Sequence, residues 1–254
     1  MKAVNRPPSL QRLLGPALKG SAQKPVAFVL AGHNGSGKST LWYERLVHSL
    51  QIPLINADRL TLSILPSPDD RTRRLPDWAQ KLRDKDHRWQ LLSQESVIAF
   101  ISLVAEKRMS FAFETVFSHW KKLPDGSYES KADIIRALQK SGYFVVLLFV
   151  GLASVELSIM RVATRKSLGG HDVPIDRLRA RYSRTQMAVG HAAPLADMTI
   201  MFDNSGDLRR AFALVRAQRR SKVLYDCRDR KYRTGSQLRK LADLWLPKVV
   251  GDLK

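Results

Sequence analysis

One short stretch constrains this chain more than any other: Gly32-His33-Asn34-Gly35-Ser36-Gly37-Lys38-Ser39-Thr40 satisfies the pattern G-x-x-x-x-G-K-S/T at every fixed position. The spacing has a physical cause. Successive backbone N–H groups must turn inward on the phosphates of a nucleotide, and Gly32, Gly35 and Gly37 allow φ/ψ values that a Cβ would forbid. Lys38 brings a point charge to the β/γ oxygens, and the Ser39 hydroxyl is placed for Mg²⁺. The flanks agree with this reading. Pro25 to Ala31 is a continuous apolar run, as a strand buried on both faces requires, and Ser39 to Leu46 opens a helix. The whole segment from Gly32 to Thr40 is therefore expected to hold the triphosphate of ATP.

At 254 residues and 44% hydrophobic content, the chain can build one α/β domain of ordinary size with modest additions. No apolar run approaches the roughly 18 residues that a membrane span needs. Residues 1–24 carry Lys2, Arg6, Arg12, Lys19 and Lys24 without an acidic residue, and Pro7, Pro8 and Pro16 oppose a long helix. They are expected to form a loosely ordered basic arm, an organelle-targeting peptide being the alternative. Cys227 is the only cysteine, which excludes intrachain disulfides and suits a reducing, cytoplasmic location. The net charge of +20 concentrates polyanions, and phosphorylated small molecules, nucleic acid and anionic membrane surfaces all fit it.

Downstream, Ile52 to Asn56 reads as a second short strand followed by Ala57-Asp58. Residues 65–90, dense in Pro, Asp and Arg, are expected to be an insertion or mobile loop. Gln94 to Met109 is expected to be helical, Ser110 to Phe113 a strand ending in Glu114-Thr115, and Lys131 to Lys140 a helix. Tyr143 to Val150 is the strongest strand. A helix over 154–166, a glycine turn at Gly169-Gly170, a helix from Pro174 and a strand at Met198–Phe202 complete a β/α alternation. That alternation predicts a three-layer α/β/α fold of the P-loop kinase type, a parallel sheet flanked by helices. Its domain would span 25–206, with a helical, arginine-rich lid at about 161–184. Residues 207–254 would form a basic, mostly helical extension docked by Trp245 and Leu246.

In open parallel sheets, ligands collect at the carboxyl ends of the strands, where the loop, Asp58 and Glu114-Thr115 converge. Asp58 could accept a proton from an attacking hydroxyl or approach Mg²⁺; a helix N-cap is the other reading. Glu114, at the end of a buried strand, needs a partner, whether substrate, metal or a neighbouring side chain, with Thr115 as its companion. Arg177, Arg181 and Arg184 make one stripe of like charge, and Arg161 and Arg165 flank the apolar face of the preceding helix. A phosphate-clamping lid hinged at Gly169-Gly170 is preferred to a merely solvated face. His171 fits a turn-stabilising bond as well as a phosphate contact. Asn204, in Asp203-Asn204-Ser205, could read an adenine edge or close an Asx turn. His33 occupies a variable position of the loop.

No guanine-reading NKxD-type segment is present, and no hydrophobic strand ending in Asp-Glu follows Ser167-Leu168-Gly169-Gly170-His171. A GTPase and an ATP-hydrolysing motor are therefore disfavoured, leaving the small kinases. The ordered set Ala31 to Thr40, Asn56-Ala57-Asp58, Phe113-Glu114-Thr115, Arg161-Val162-Ala163, Gly169 to Pro174, Arg181-Tyr182 and Asp203-Asn204-Ser205 resembles the zeta-toxin family of kinases. The resemblance covers about residues 25–206. It implies an ATP/Mg²⁺-dependent kinase that phosphorylates the 3′-hydroxyl of UDP-N-acetylglucosamine as the toxin of a toxin–antitoxin system, with an antitoxin as partner. By the same resemblance Asp58 is the catalytic base, and Glu114 and Thr115 contact substrate. Lys38 and Ser39 serve ATP and Mg²⁺, and Arg161, Arg165 and Arg181 clamp phosphate. A nucleic-acid-binding ATPase or polynucleotide kinase is the rival that the charge keeps open.

Overall fold

The apolar run before the glycine-rich loop forms β1 (Val26–Gly32), and each of its residues is buried. In the computed structural model, which describes residues 5–19, 24–72 and 74–252, this strand lies in the interior of a seven-stranded sheet. The strands that follow are β2 (Leu54–Ile55), β3 (Phe111–Thr115), a separate hairpin of β4 (Trp120–Lys122) and β5 (Tyr128–Ser130), β6 (Phe144–Gly151), β7 (Met198–Asp203), β8 (Ala213–Arg219) and β9 (Lys222–Asp226). Their order in the main sheet is β2-β3-β1-β6-β7-β8-β9, the first five parallel and the last two antiparallel.

Helices flank this sheet. They are α1 (Leu10–Lys19), α2 (Lys38–Leu41), α3 (Val47–Leu50), α4 (Ala57–Leu62), α5 (Asp77–Lys85), α6 (His87–Glu106), α7 (Ala132–Lys140), α8 (Val155–Ser167), α9 (Ile175–Ala192) and α10 (Ser236–Val250). A π-helical turn, Trp42–Leu46, joins α2 to α3. Several starts have evident causes: the side chains of Asn56, Asp86 and Ser154 accept from the backbone N–H groups of Arg59, Trp89 and Leu157. Phe28, Phe111, Leu147, Phe149 and Trp42 fill the layers around β1 and β6, each buried large side chain stabilising by about 1.5–3 kcal/mol.

The parallel, helix-flanked sheet agrees with the sequence reading, but three segments differ from it. The N-terminal arm is not uniformly loose. Leu10, Leu13 and Leu14 recur at helical spacing, and burial of Leu13 and Leu14 holds α1 together through Pro16, which removes only the bond to the Arg12 carbonyl. Asn5 also exchanges backbone bonds with Lys231 and Arg233. Residues 1–4 and 20–23, Lys2 among them, and Arg73 of the insertion lie outside the described residues. Residues 65–90 are not simply a loop: Leu65, Leu75 and Ala79 form a small core, packed by Leu82 and Trp89, that supports α5 and the start of α6. The charged residues between them hide the helical period.

The third difference is the extension at 207–254, which is not mostly helical. Residues 213–226 form the hairpin β8–β9, in which Val215, Ala217 and Tyr225 are buried in the core and Arg216 pairs with the buried Asp226 across the two strands. Only α10 is helical at any length, and Trp245 and Leu246 dock it as expected. The Trp245 indole lies against Gly151, edge-on to Phe149 at 5.5 Å, and its Nε1 donates to Asp203 Oδ2 at 2.7 Å.

Candidate active site

The loop leaves β1 at Gly32 and enters α2 through Gly37, which has φ +91° and caps the helix. A Cβ on Gly37 would lie 2.7 Å from Asn204 Nδ2, so only glycine fits this approach. The loop is held from behind. Asn204 Nδ2 donates to Ser36 O at 2.8 Å, and Ser158 Oγ donates to Asn34 O at 2.7 Å. Asn204 Oδ1 accepts from Phe212 N at 3.4 Å, so the amide expected to read adenine is engaged at both ends in bracing the loop. Thr40 is exposed on the first turn of α2.

The His33 side chain turns away from the phosphate side. It is fully buried, stacked on Tyr182 at 4.2 Å and edge-on to Phe149 at 5.7 Å, which leaves only its backbone for a nucleotide. Burial, reinforced by the Lys38 charge, pushes its pKa from 6.5 down to about 3. The unfolded chain therefore binds a proton that the folded one refuses, so His33 lowers stability as pH falls from 6.5 toward 3. A His33→Phe variant is expected to lose less stability across this range, by about 1.4 kcal/mol per pH unit. Urea unfolding at stepped pH checks this, and parallel stability curves for the two proteins would refute it.

Lys38 Nζ donates to Gly32 O and His33 O at 3.1 and 3.0 Å and lies 3.9 Å from Glu114 Oε1. Burial pulls its pKa below the ordinary value, with Glu114 opposing that effect. Glu114 Oε2 accepts from Ser39 Oγ and from Asn56 Nδ2, both at 2.7 Å. The carboxylate at the end of β3 thus bonds the end of the phosphate loop and the strand-end residue Asn56. Ser39 and Glu114 offer adjacent hard oxygen ligands beside the loop, a set that suits Mg²⁺ when phosphate oxygens and water complete the shell. Among the described residues no group of three or more His, Cys, Asp and Glu gathers as a metal site.

Asp58 lies in the first turn of α4, but the capping side chain there is Asn56, so the N-cap reading of Asp58 does not hold. Instead Asp58 lines a cavity of about 720 Å³ together with Asn34, Arg165, His171, Arg177 and Arg181. Residues distant in sequence meet here. Arg161 is not among the lining residues; a Cβ on Gly35 would lie 3.1 Å from Arg161 Cβ, which sets this arginine beside the loop. Burial lowers the Arg161 pKa, and Asp203 counteracts the shift.

The segment expected to form a lid is tied to α5. His171 Nδ1 bonds Asp84 Oδ1 at 2.8 Å, and Arg83 donates to the carbonyls of Gly169 and Gly170 while pairing with Asp84 at 2.7 Å. Burial would raise the Asp84 carboxyl, but hydrogen bonds from Arg83 and His171 outweigh it and hold the pKa low. Arg165 Nη2 donates back to His171 O at 3.0 Å. Thr115 Oγ1 accepts from Lys131 Nζ and, at 3.2 Å, from Phe117 N.

Sequence reasoning did not single out Asn56 for its bond to Glu114, nor Arg83, Asp84 and Lys131. Asn56 adjoins Asp58 and could have been found from the same strand end. The others come from an insertion and a helix start with no distinctive spacing.

The sequence matches no curated protein. Among solved structures, the chain is similar to a chain of the AvrRxo1-ORF1:AvrRxo1-ORF2 complex with sulphate ions, with a TM-score of 0.60 and 14% identity over 95% of this chain and 69% of that one. The same complex with ATP gives a TM-score of 0.56 and 13% identity, covering 95% and 68% of the respective chains. A structure of the PezAT chromosomal toxin–antitoxin system of Streptococcus pneumoniae gives a TM-score of 0.51 and 12% identity, covering 98% and 92%. At such identities these likenesses show a shared fold. The zeta toxin profile matches residues 15–228, a span holding the loop, Asp58, Glu114 and the arginine-rich segment. With that match across most of its length, the chain belongs to the zeta toxin family.

Proposed function

We propose that this protein is a kinase that transfers the γ-phosphoryl of ATP to the 3′-hydroxyl of UDP-N-acetylglucosamine or a related nucleotide sugar, acting in the cytoplasm as the toxin of a toxin–antitoxin pair. One observation carries the reading: Asp58 lines the same cavity as Asn34 of the phosphate loop and the arginines Arg165 and Arg181. A base, a phosphate cradle and cations around one space are what in-line transfer to an alcohol requires. Family membership supplies the acceptor expectation, and the similarity to a toxin–antitoxin system supports an antitoxin partner.

In this mechanism the acceptor hydroxyl gives its proton to Asp58 as its oxygen bonds the γ-phosphorus, the bond to the β,γ-bridging oxygen breaks, and ADP leaves. Loop N–H groups and Lys38 hold the β- and γ-oxygens, while Arg161 and Arg165 approach the donor phosphates as the segment 161–184 closes, with Arg181 on the cavity that Asp58 lines. Glu114 positions Ser39 and Asn56, and Thr115 and His171 border the acceptor side. Mg²⁺, when held by Ser39 and Glu114, would neutralise charge on the phosphates.

The test incubates the protein with ATP, Mg²⁺ and a panel of nucleotide sugars, nucleotides and oligonucleotides, read by mass spectrometry. A single added phosphoryl on the sugar of UDP-N-acetylglucosamine is the expected product. Phosphate on oligonucleotide ends alone would replace this reading with the polynucleotide-kinase one.

A further inference from the structure

Two cations meet at the end of β3 without an anion between them. Lys131 precedes α7, and its half-buried ammonium donates to Thr115 Oγ1. Arg181 of α9 approaches the same strand end: Thr185, one turn further along α9, donates from Oγ1 to Val116 O at 3.3 Å, and Arg181 lines the cavity with Asp58, its charge acting on Lys131. Among the described residues no carboxylate pairs with Lys131. Asp133, in the first turn of α7, bonds Arg136 at 2.8 Å, and Glu129 of β5 bonds His119 at 2.8 Å. Arg181 is buried with the like charges of Arg177 and Arg184 along its own helix, and Asp58 opposes them by favouring the Arg181 guanidinium. Burial followed by the Arg181 charge pushes the Lys131 pKa down to about 8.

Two partly desolvated like charges weaken a fold unless an anion sits between them in the working state. Thr115 holds the ammonium in place without neutralising it. The donor triphosphate already has its lysine, Lys38, at the start of α2 just after β1, whereas Thr115 lies on β3, the next strand toward the β2 edge, paired with Ala31. Val116, which follows Thr115, and Arg181 both line the cavity that holds Asp58.

We propose that Lys131, together with Arg181, binds a phosphate-type anion carried by the phosphoryl acceptor, and so selects acceptors bearing such a group. The proposal rests on the kinase reading for its acceptor, and on the geometry of Lys131, Thr115 and Arg181 for its site. Lys131 is a specificity residue that takes no part in the proton transfer at Asp58.

The first experiment compares steady-state kinetics of Lys131→Met and Lys131→Arg with the wild type, using UDP-N-acetylglucosamine as acceptor. The Met variant is expected to raise the acceptor KM at least about tenfold, as loss of one charge-assisted contact would, while KM for ATP stays within about twofold. The Arg variant restores most of the affinity. In the wild type the acceptor KM rises as pH passes through about 8 and the ammonium loses its proton, whereas the Arg variant shows no such rise. An increase confined to KM for ATP, or equal damage by Met and Arg, would overturn the proposal.

The second experiment needs no turnover. Inorganic pyrophosphate is titrated calorimetrically into protein saturated with a non-hydrolysable ATP analogue. Binding by the wild type that weakens at least about tenfold in Lys131→Met supports the site, even if no acceptor in the panel is phosphorylated. No binding, or equal binding by both proteins, overturns it.

Discussion

An Asp58→Asn protein is expected to bind ATP as the wild type does, within about twofold, and to lose phosphoryl transfer by about 10²–10⁴-fold. Asparagine has nearly the same shape, so the first turn of α4 and its cap from Asn56 are retained. What disappears is the lone pair basic enough to take the acceptor proton. Asp58 makes no capping bond and faces the cavity, so its charge has no structural task there that would confuse the outcome. Its field also reaches Lys38 and Arg181, whose ammonium and guanidinium it favours, so a small change in nucleotide affinity accompanies the loss of its charge. Calorimetric titration with ATP and initial rates of acceptor phosphorylation separate the two effects. Turnover at the wild-type level in the Asn variant would remove Asp58 from the mechanism.

Trp245→Ala is expected to destabilise the fold by about 3–5 kcal/mol, a large part of the 5–15 kcal/mol that typically holds a domain together. The indole is fully buried against Gly151 and Phe149, and its removal leaves a cavity under α10. Asp203 Oδ2 loses its indole donor and keeps Ser205 Oγ at 2.9 Å. Trp245→Phe retains most of the packing and removes only that bond, so a smaller loss of about 1–3 kcal/mol is expected. The effect extends to function, because Asp203 precedes Asn204, whose amide holds the Ser36 carbonyl of the phosphate loop. ATP affinity should therefore fall in the Ala variant even at temperatures where it remains folded. Urea unfolding and ATP titration check both statements; an Ala variant within 1 kcal/mol of the wild type would show that α10 is an appendage.

Much of the site was legible because it depends on local backbone rules. The glycines at 32, 35 and 37, the lysine after them and the apolar run before them announce a strand, a loop and a helix start, and the structure builds those elements in that order. Asp58 and Glu114 were recognisable as carboxylates at strand ends. Their partners were not. That Glu114 would bond Ser39 and Asn56, and that His171 would bond Asp84 of an insertion read as a loop, depends on the packing of α5 and on the neighbouring positions of β1, β2 and β3. The hairpin at 213–226 went unread for a related reason. Its alternation is short and mixed with arginines, and it becomes a sheet only because β7 presents an edge to pair with.

The sequence by itself determined the parallel β/α frame, the phosphate loop and the family, because each is written in residues that are neighbours along the chain or recur at a fixed period. Only the tertiary structure decided that His33 faces the core, that Asn204 braces the loop, that Asp58 is free of the helix cap and that Lys131 meets Arg181. Those outcomes turn on which side chains the crossovers bring within a few ångströms of one another, and a contact between residues far apart in the chain leaves no period or spacing in the sequence to read.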